Sequence, residues 1–212
     1  DAFVTTELEA RRYGGMSTGN FGHNGFLSDT LAYQGKFGMV ALRATYNLDE
    51  QAGTDGDYTF GLKFGNKKWE AGFAVAHDDD INNTANDNND AAVDAAKLFG
   101  KVNFGNMAVR GQYETITNEI AVGTTDQDGE IIFLGFDVKF GGKTTLTIQA
   151  GQGTVEQSGN PDQENDYAAI GVTHKFTKKT RLFAGYGTMS VDNMDNTAGD
   201  NNGRDALTVG MR

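Results

Sequence analysis

The sequence has no cysteine, a single proline and no long apolar run, and each of these absences excludes a class of protein. Without cysteine there can be no thiol catalysis, no disulfide scaffold and no Cys-ligated metal site. No stretch of about 18 apolar residues occurs, which excludes a membrane-spanning helix. A membrane-spanning strand needs only about ten residues of alternating character, so it is compatible with this composition.

Basic residues are also scarce relative to acidic ones. The net charge is −11 and the pI is about 4.6, which argues against nucleic acid as a partner because phosphate binding needs a clustered basic surface. Much of the acid lies in runs such as Asp78-Asp79-Asp80 and the Asn/Asp tract 82–90, which indicate solvated loops. Mean hydropathy is −0.49 over 212 residues, consistent with one domain in which much of the chain meets water.

Residues 166–189 show the pattern that recurs along the chain, two alternating runs joined by a tight Lys-Lys turn. A period of two indicates a strand whose two faces meet different environments. One face is apolar and the other is small or charged, which favours a wall between lipid and water over a soluble sandwich. The apolar face of the two runs consists of Ala168, Ile170, Val172, His174 and Phe176, followed by Leu182, Ala184 and Tyr186.

The same unit repeats from Ser28 onward and predicts about eleven strands. Short turns alternate with longer acidic loops; the predicted short turns include 36–38, 66–68 and 105–106. In an up-and-down barrel, alternate connections emerge at the same rim, so this sorting favours an all-β, antiparallel transmembrane barrel. Because bacterial barrels have an even number of strands and an open edge cannot sit in lipid, we expect further strands upstream of Asp1.

Aromatic residues occur at both ends of the predicted strands. Two aromatic belts that bracket aliphatic residues are typical of the two interfaces of a bilayer. The belt beside the short turns would contain Phe64, Trp69, Phe104, Phe140 and Phe176, and the belt towards the long loops Tyr46, Tyr58, Tyr113 and Tyr186.

The chain resembles the C-terminal two-thirds of a Gram-negative general porin. The matching segments are LSDTLAYQGKFGMVALRATY after a Gly- and Arg-containing loop, the hairpin HKFTKKTRLFAGYGT, and the ending ALTVGMR. The resemblance implies a barrel of roughly 16 strands, of which this chain would supply about the last eleven within a single domain over 1–212. It also implies a homotrimer in the outer membrane, in contact with lipid and lipopolysaccharide. The family's terminal Phe does not follow ALTVGMR here.

In that family the inward-folded loop narrows the pore, and residues 1–27 would take this role. The resemblance implies a constriction in which acidic loop residues face basic wall residues, and the resulting transverse field would sort ions by sign. The alternative is that these are ordinary loop or lumen residues paired with one another. The candidates are Glu7 and Glu9 on the acidic side and Arg11, Arg12 and Arg43 on the basic side, with Arg43 on the polar face of its strand.

Other charged residues on the polar faces would hydrate the channel wall without binding a specific ligand. They are Lys63, Lys101, Arg110, Asp137, Lys139 and Lys175. The overall acidity predicts a preference for cations among the small hydrophilic solutes and ions that would pass.

Neither catalysis nor a cofactor is expected. His23, His77 and His174 are the only histidines, and no catalytic triad order, zinc pattern or phosphate loop accompanies them.

A calcium-binding β-domain acting in adhesion, soluble or attached to the surface, is the alternative function. The segments DQDGE and DNMDNTAGDNNGRD are rich in oxygen ligands, but neither has the ligand spacing of a calcium loop. Acidic external loops, bridged to lipopolysaccharide by divalent ions, explain both segments better.

Overall fold

The computed structural model describes residues 30–47, 57–78, 92–119, 127–178, 180–192 and 202–211. These residues form one antiparallel sheet of eleven strands. No helix within those ranges is long and apolar enough to cross a membrane. The strands are β1 Thr30–Phe37, β2 Val40–Asn47, β3 Tyr58–Gly65, β4 Trp69–Asp78, β5 Ala92–Phe104, β6 Met107–Glu119, β7 Gln127–Phe140, β8 Thr144–Gln157, β9 Gln163–Lys175, β10 Arg181–Asp192 and β11 Asn202–Met211.

Every strand pairs with its neighbours in sequence, so the sheet order runs from β1 to β11 without a crossover. This confirms the predicted up-and-down antiparallel topology. Among the described residues, β1 pairs with β2 and β11 pairs with β10.

Several strands begin earlier than the hydrophobic pattern predicted, always on the side of the long loops. β7 begins at Gln127 instead of Glu130, and β9 begins at Gln163 instead of Asp166. In these extensions both faces are polar, so alternation of hydrophobicity does not mark them. Backbone pairing continues nevertheless, for example between Gln127 and Gln157.

One short turn is tighter than predicted, and another is longer. Lys36 and Phe37 were expected in the first turn but belong to β1, and the turn consists of Gly38 and Met39. Gly38 has φ 63°, a left-handed conformation that a Cβ would strain, which explains a glycine there. Phe176, expected in the belt beside the short turns, follows the end of β9 at Lys175, so the connection to β10 is longer than the predicted Lys-Lys turn.

The two faces of the sheet are inverted relative to those of a soluble protein. Leu98 is 61% exposed and Leu134 is 59% exposed, whereas Gln149 on the opposite face is only 1% exposed. The exposed apolar residues form a continuous surface on one side of all eleven strands, which we call the outer face. A surface of this extent is stable only against an apolar environment. The buried and charged side is called the inner face.

The predicted aromatic belts lie on the outer face or at its edge. Phe64, Phe104 and Phe140 are exposed beside the short turns. At the other end, the hydroxyl of Tyr113 hydrogen-bonds with Glu130, and that of Tyr186 hydrogen-bonds with Asp205. Rings in the apolar zone with hydroxyls directed to polar partners are typical of a membrane interface.

Candidate functional site

The inner face carries the charged side chains expected to line a lumen. Side chains alternate along a strand, and directly paired residues share a face. The register therefore places these charged side chains on the face of the sheet that does not carry the exposed leucines and phenylalanines. Lys101 pairs with Arg110, for instance, while the neighbouring Val102 pairs with Val109 on the outer face. The inner-face residues identified in this way include Lys63, Lys101, Arg110, Asp137, Lys139 and Lys175.

Arg110 is the centre of a buried polar network between β6, β7 and β8. Its Nη2 contacts Oδ2 of Asp137 in an ion pair, and Thr147 Oγ1 donates a hydrogen bond of 2.8 Å to Oδ1 of the same carboxylate. Gly135 lies directly opposite Arg110, and a Cβ at that position would stand 2.9 Å from Arg110 Cγ. The glycine therefore lets the arginine side chain lie flat across β7 and reach Asp137.

Two further strand carboxylates of the inner face form ion pairs with lysines on adjacent strands. Lys63 Nζ is 3.2 Å from Glu70 Oε2, and Lys97 Nζ is 3.7 Å from Glu114 Oε2. Gln112 Nε2 donates a further hydrogen bond of 2.8 Å to the Glu114 carboxylate. The two ion pairs join β3 to β4 and β5 to β6 on the inner face, and they hold the carboxylates in place.

Lys101 lies among other cations of the inner face. It interacts electrostatically with Arg110, Lys139 and Lys63, and with the carboxylate of Glu70. Like charges repel at such separations unless water or mobile anions screen them. Because Lys101 is half-buried, water or mobile anions have to reach its exposed part to screen these charges.

The inner face also contains apolar side chains that the sequence pattern missed, because that face was expected to be small or charged throughout. Phe99, Phe133 and Tyr167 are buried there. The Phe99 ring lies against Gly72 on β4, and Phe133 and Tyr167 both pair with Gly151 on β8. An aromatic residue opposite a glycine on the next strand is the sequence signal that identifies such a pair.

The predicted constriction is described only at Arg43. This residue lies on the inner face of β2, where it pairs with Gln34 of β1 and Gly61 of β3. Glu7, Glu9, Arg11 and Arg12 lie outside the described residues, as does the predicted inward loop 1–27. Their contact with Arg43 stays a prediction.

The two described histidines lie on the outer face. His77 Nδ1 is 2.8 Å from Asp94 Oδ1, and its ring stacks on Tyr58 with centroids 5.3 Å apart. His174 Nδ1 is 2.8 Å from Thr144 Oγ1. Over the described ranges, no group of three or more His, Cys, Asp or Glu side chains is arranged to hold a metal ion. His23 lies outside those ranges.

An up-and-down antiparallel sheet with an apolar outer face, aromatic belts and a charged inner face is the wall of a transmembrane β-barrel. Residues 2–194 match the family model of the Gram-negative porins. The chain belongs to that family, and the protein is located in the outer membrane of a Gram-negative bacterium. A comparison with curated proteins finds no match to the chain.

Solved porin structures share the fold at low sequence identity. The anion-selective porin from Comamonas acidovorans aligns with TM-score 0.70 and 18% identity, covering 86% of this chain and 58% of that one. OmpT, an outer membrane protein of Vibrio cholerae, aligns with TM-score 0.69 and 16% identity, covering 87% and 65%. Salmonella typhi OmpF, in complex with daunomycin, aligns with TM-score 0.66 and 10% identity, covering 99% and 68%. The chain thus spans roughly three-fifths to two-thirds of the length of these structures.

Proposed function

We propose that the protein forms a water-filled channel through which small hydrophilic solutes and ions diffuse passively across the outer membrane. The observation that carries this proposal is the inversion of the sheet, with leucines exposed on the outer face and Arg110, Glu114 and Gln149 buried on the inner face. Ion pairs across neighbouring strands are costly in lipid and favourable beside water. No chemical step is assigned to the inner face, so the proposed role is transport without catalysis.

Conductance in planar bilayers tests this proposal. The intact protein should partition into detergent and produce discrete conductance steps when added to a lipid bilayer, and heat-denatured protein serves as the control. The alternative, a calcium-binding β-domain acting in adhesion, requires the opposite behaviour. A protein that stays in solution without detergent and unfolds when a chelator is added would refute the channel and support the alternative.

A constriction made by residues 1–27 against the wall belongs to the same proposal, as does a single barrel domain over 1–212. Glu7 and Glu9 would face Arg11, Arg12 and Arg43, as in the inward-folded loop of the porins that the sequence resembles. The support on the wall side is the position of Arg43 on the inner face. Arg43→Gln should change single-channel conductance and ion preference, whereas Lys36→Gln, at the neighbouring inner-face position of β1, should change them less. Equal effects of the two variants would contradict a constriction at Arg43.

We further propose a homotrimer, with the outer face in contact with lipid and lipopolysaccharide. The support is the family, together with the exposed apolar surface that a neighbouring subunit or lipid must cover. Cross-linking of the protein in outer membranes should yield dimers and trimers, and a ladder that ends at the monomer would contradict this assembly. The preference for cations expected from the net charge remains an untested prediction.

A further inference from the structure

The charges of the strands are sorted by face. Among strand residues whose side chains the structure describes, every lysine and arginine lies at an inner-face position, as the registers of all eleven strands place them. Most carboxylates of the same set lie on the outer face, near the long-loop ends of their strands. They include Asp94, Asp128, Glu130, Glu156, Glu164 and Asp166.

The carboxylates on the inner face, within the same set of strand residues, are Glu70, Glu114 and Asp137. Each is engaged by a cation, with Lys63 on Glu70, Lys97 on Glu114 and Arg110 on Asp137. The two charges of each pair nearly cancel, so a pair adds little net charge to the inner face. Among strand residues whose side chains the structure describes, no further inner-face carboxylate balances the remaining cations, which include Arg43, Lys101, Lys139 and Lys175.

The excess of positive charge is concentrated around Lys101. This ammonium interacts with Arg110, Lys139 and Lys63, which come from β6, β7 and β3, and with the carboxylate of Glu70. Because Arg110 and Lys63 are paired with carboxylates, Lys101 and Lys139 supply the net positive charge of this cluster. Such a cluster on a wall with low-dielectric surroundings focuses the field into the adjacent water and raises the local concentration of counter-ions. The electric field of the outer-face carboxylates reaches the water at the inner face only across the sheet. External solvent also screens these carboxylates within a Debye length of about 8 Å.

We propose that the inner face makes the channel anion-selective, with Lys101 and Lys139 as residues that determine this preference. The inference rests on the proposed channel function. It is opposite to the preference expected from the net charge of −11, because most acidic residues lie between the strands or at outer-face positions, whereas Lys101 and Lys139 lie at inner-face positions. In the proposed constriction, Glu7 and Glu9 would face three arginines, so that constriction would add no excess of negative charge. The favoured solutes are small hydrophilic anions, which Lys and Arg side chains attract without a dedicated binding pocket.

Reversal potentials in a potassium chloride gradient test the inference on the intact protein in planar bilayers. The wild-type channel should pass chloride in preference to potassium, with a permeability ratio on the order of twofold or more, since screening in a hydrated pore weakens the field. The double variant Lys101→Glu with Lys139→Glu should shift the ratio towards potassium. The milder pair Lys101→Gln with Lys139→Gln should shift it in the same direction by less, and it covers the case in which the charge reversal prevents folding.

A charge-matched control is available in the short turns. Lys67→Glu with Lys178→Glu changes the net charge by the same amount at exposed positions outside the strands, and it should leave the ratio close to that of the wild type. A wild-type channel that prefers potassium, or equal shifts from the strand pair and the turn pair, would overturn the inference while leaving the channel function standing. Absence of any conductance would instead overturn the proposed function, and the inference with it.

Discussion

Replacing Leu134 by arginine places a charge at the centre of the outer face and measures whether lipid covers that face. From Phe140, which marks the belt beside the short turns, β7 rises by ~20 Å to Leu134 at ~3.4 Å per residue. With a strand tilt of ~40°, this is ~15 Å along the membrane normal, close to the middle of a hydrocarbon core ~30 Å thick. An arginine on the lipid face at that depth costs about 2–4 kcal/mol of folding free energy.

The matched control lies on the same face at the long-loop end. Thr154 pairs with Glu130, above the belt that contains Tyr113, so Thr154→Arg should cost only about 0–1 kcal/mol. Folding free energies from urea titrations in lipid vesicles measure both variants. In a water-exposed sheet, an arginine at the 59% exposed Leu134 would change stability by no more than about 0.5 kcal/mol. Equal, small costs for the two variants would therefore refute the assignment of the outer face to lipid.

Three further predictions concern single contacts. Asp137→Ala should lower the folding free energy by about 3 kcal/mol in the same titration, because it leaves the buried Arg110 without its carboxylate. The double variant with Arg110→Met should recover most of the loss, and no recovery would contradict the unpaired arginine as its cause. Trp69, the only tryptophan, should be quenched more strongly by lipids brominated near the headgroup than by lipids brominated near the chain ends, and the reverse order would contradict its place in the belt. Gly105→Ala should cost about 1 kcal/mol because φ is 64° at that turn, and an unchanged urea midpoint would show that the turn relaxes.

The strands and their faces could be predicted because one physical constraint dominates the sequence. A wall between lipid and water demands alternation at every spanning residue, and this is visible in segments such as 166–176. The constraint ends where both faces meet water. The starts of β7 and β9 were therefore placed too late, although backbone pairing there continues up to Gln127 and Gln163.

The inner face was predicted in part. Alternation assigned Arg110 and Asp137 to the same face, and the structure agrees. Their ion pair depends on the register between β6 and β7 and on the absence of a side chain at Gly135, neither of which periodicity reveals. Phe99 and Phe133 were missed because an aromatic residue on a water-facing side is recognised only when its cross-strand glycine is known.

Within the described ranges, each strand pairs only with its neighbours in sequence, which has a consequence for how the sheet is assembled. Each hairpin joins residues close in sequence, so the entropy lost in closing its loop is small and rises only slowly with loop length. A growing sheet of this topology can add one hairpin at a time, with each new strand docking on an edge that is already in place.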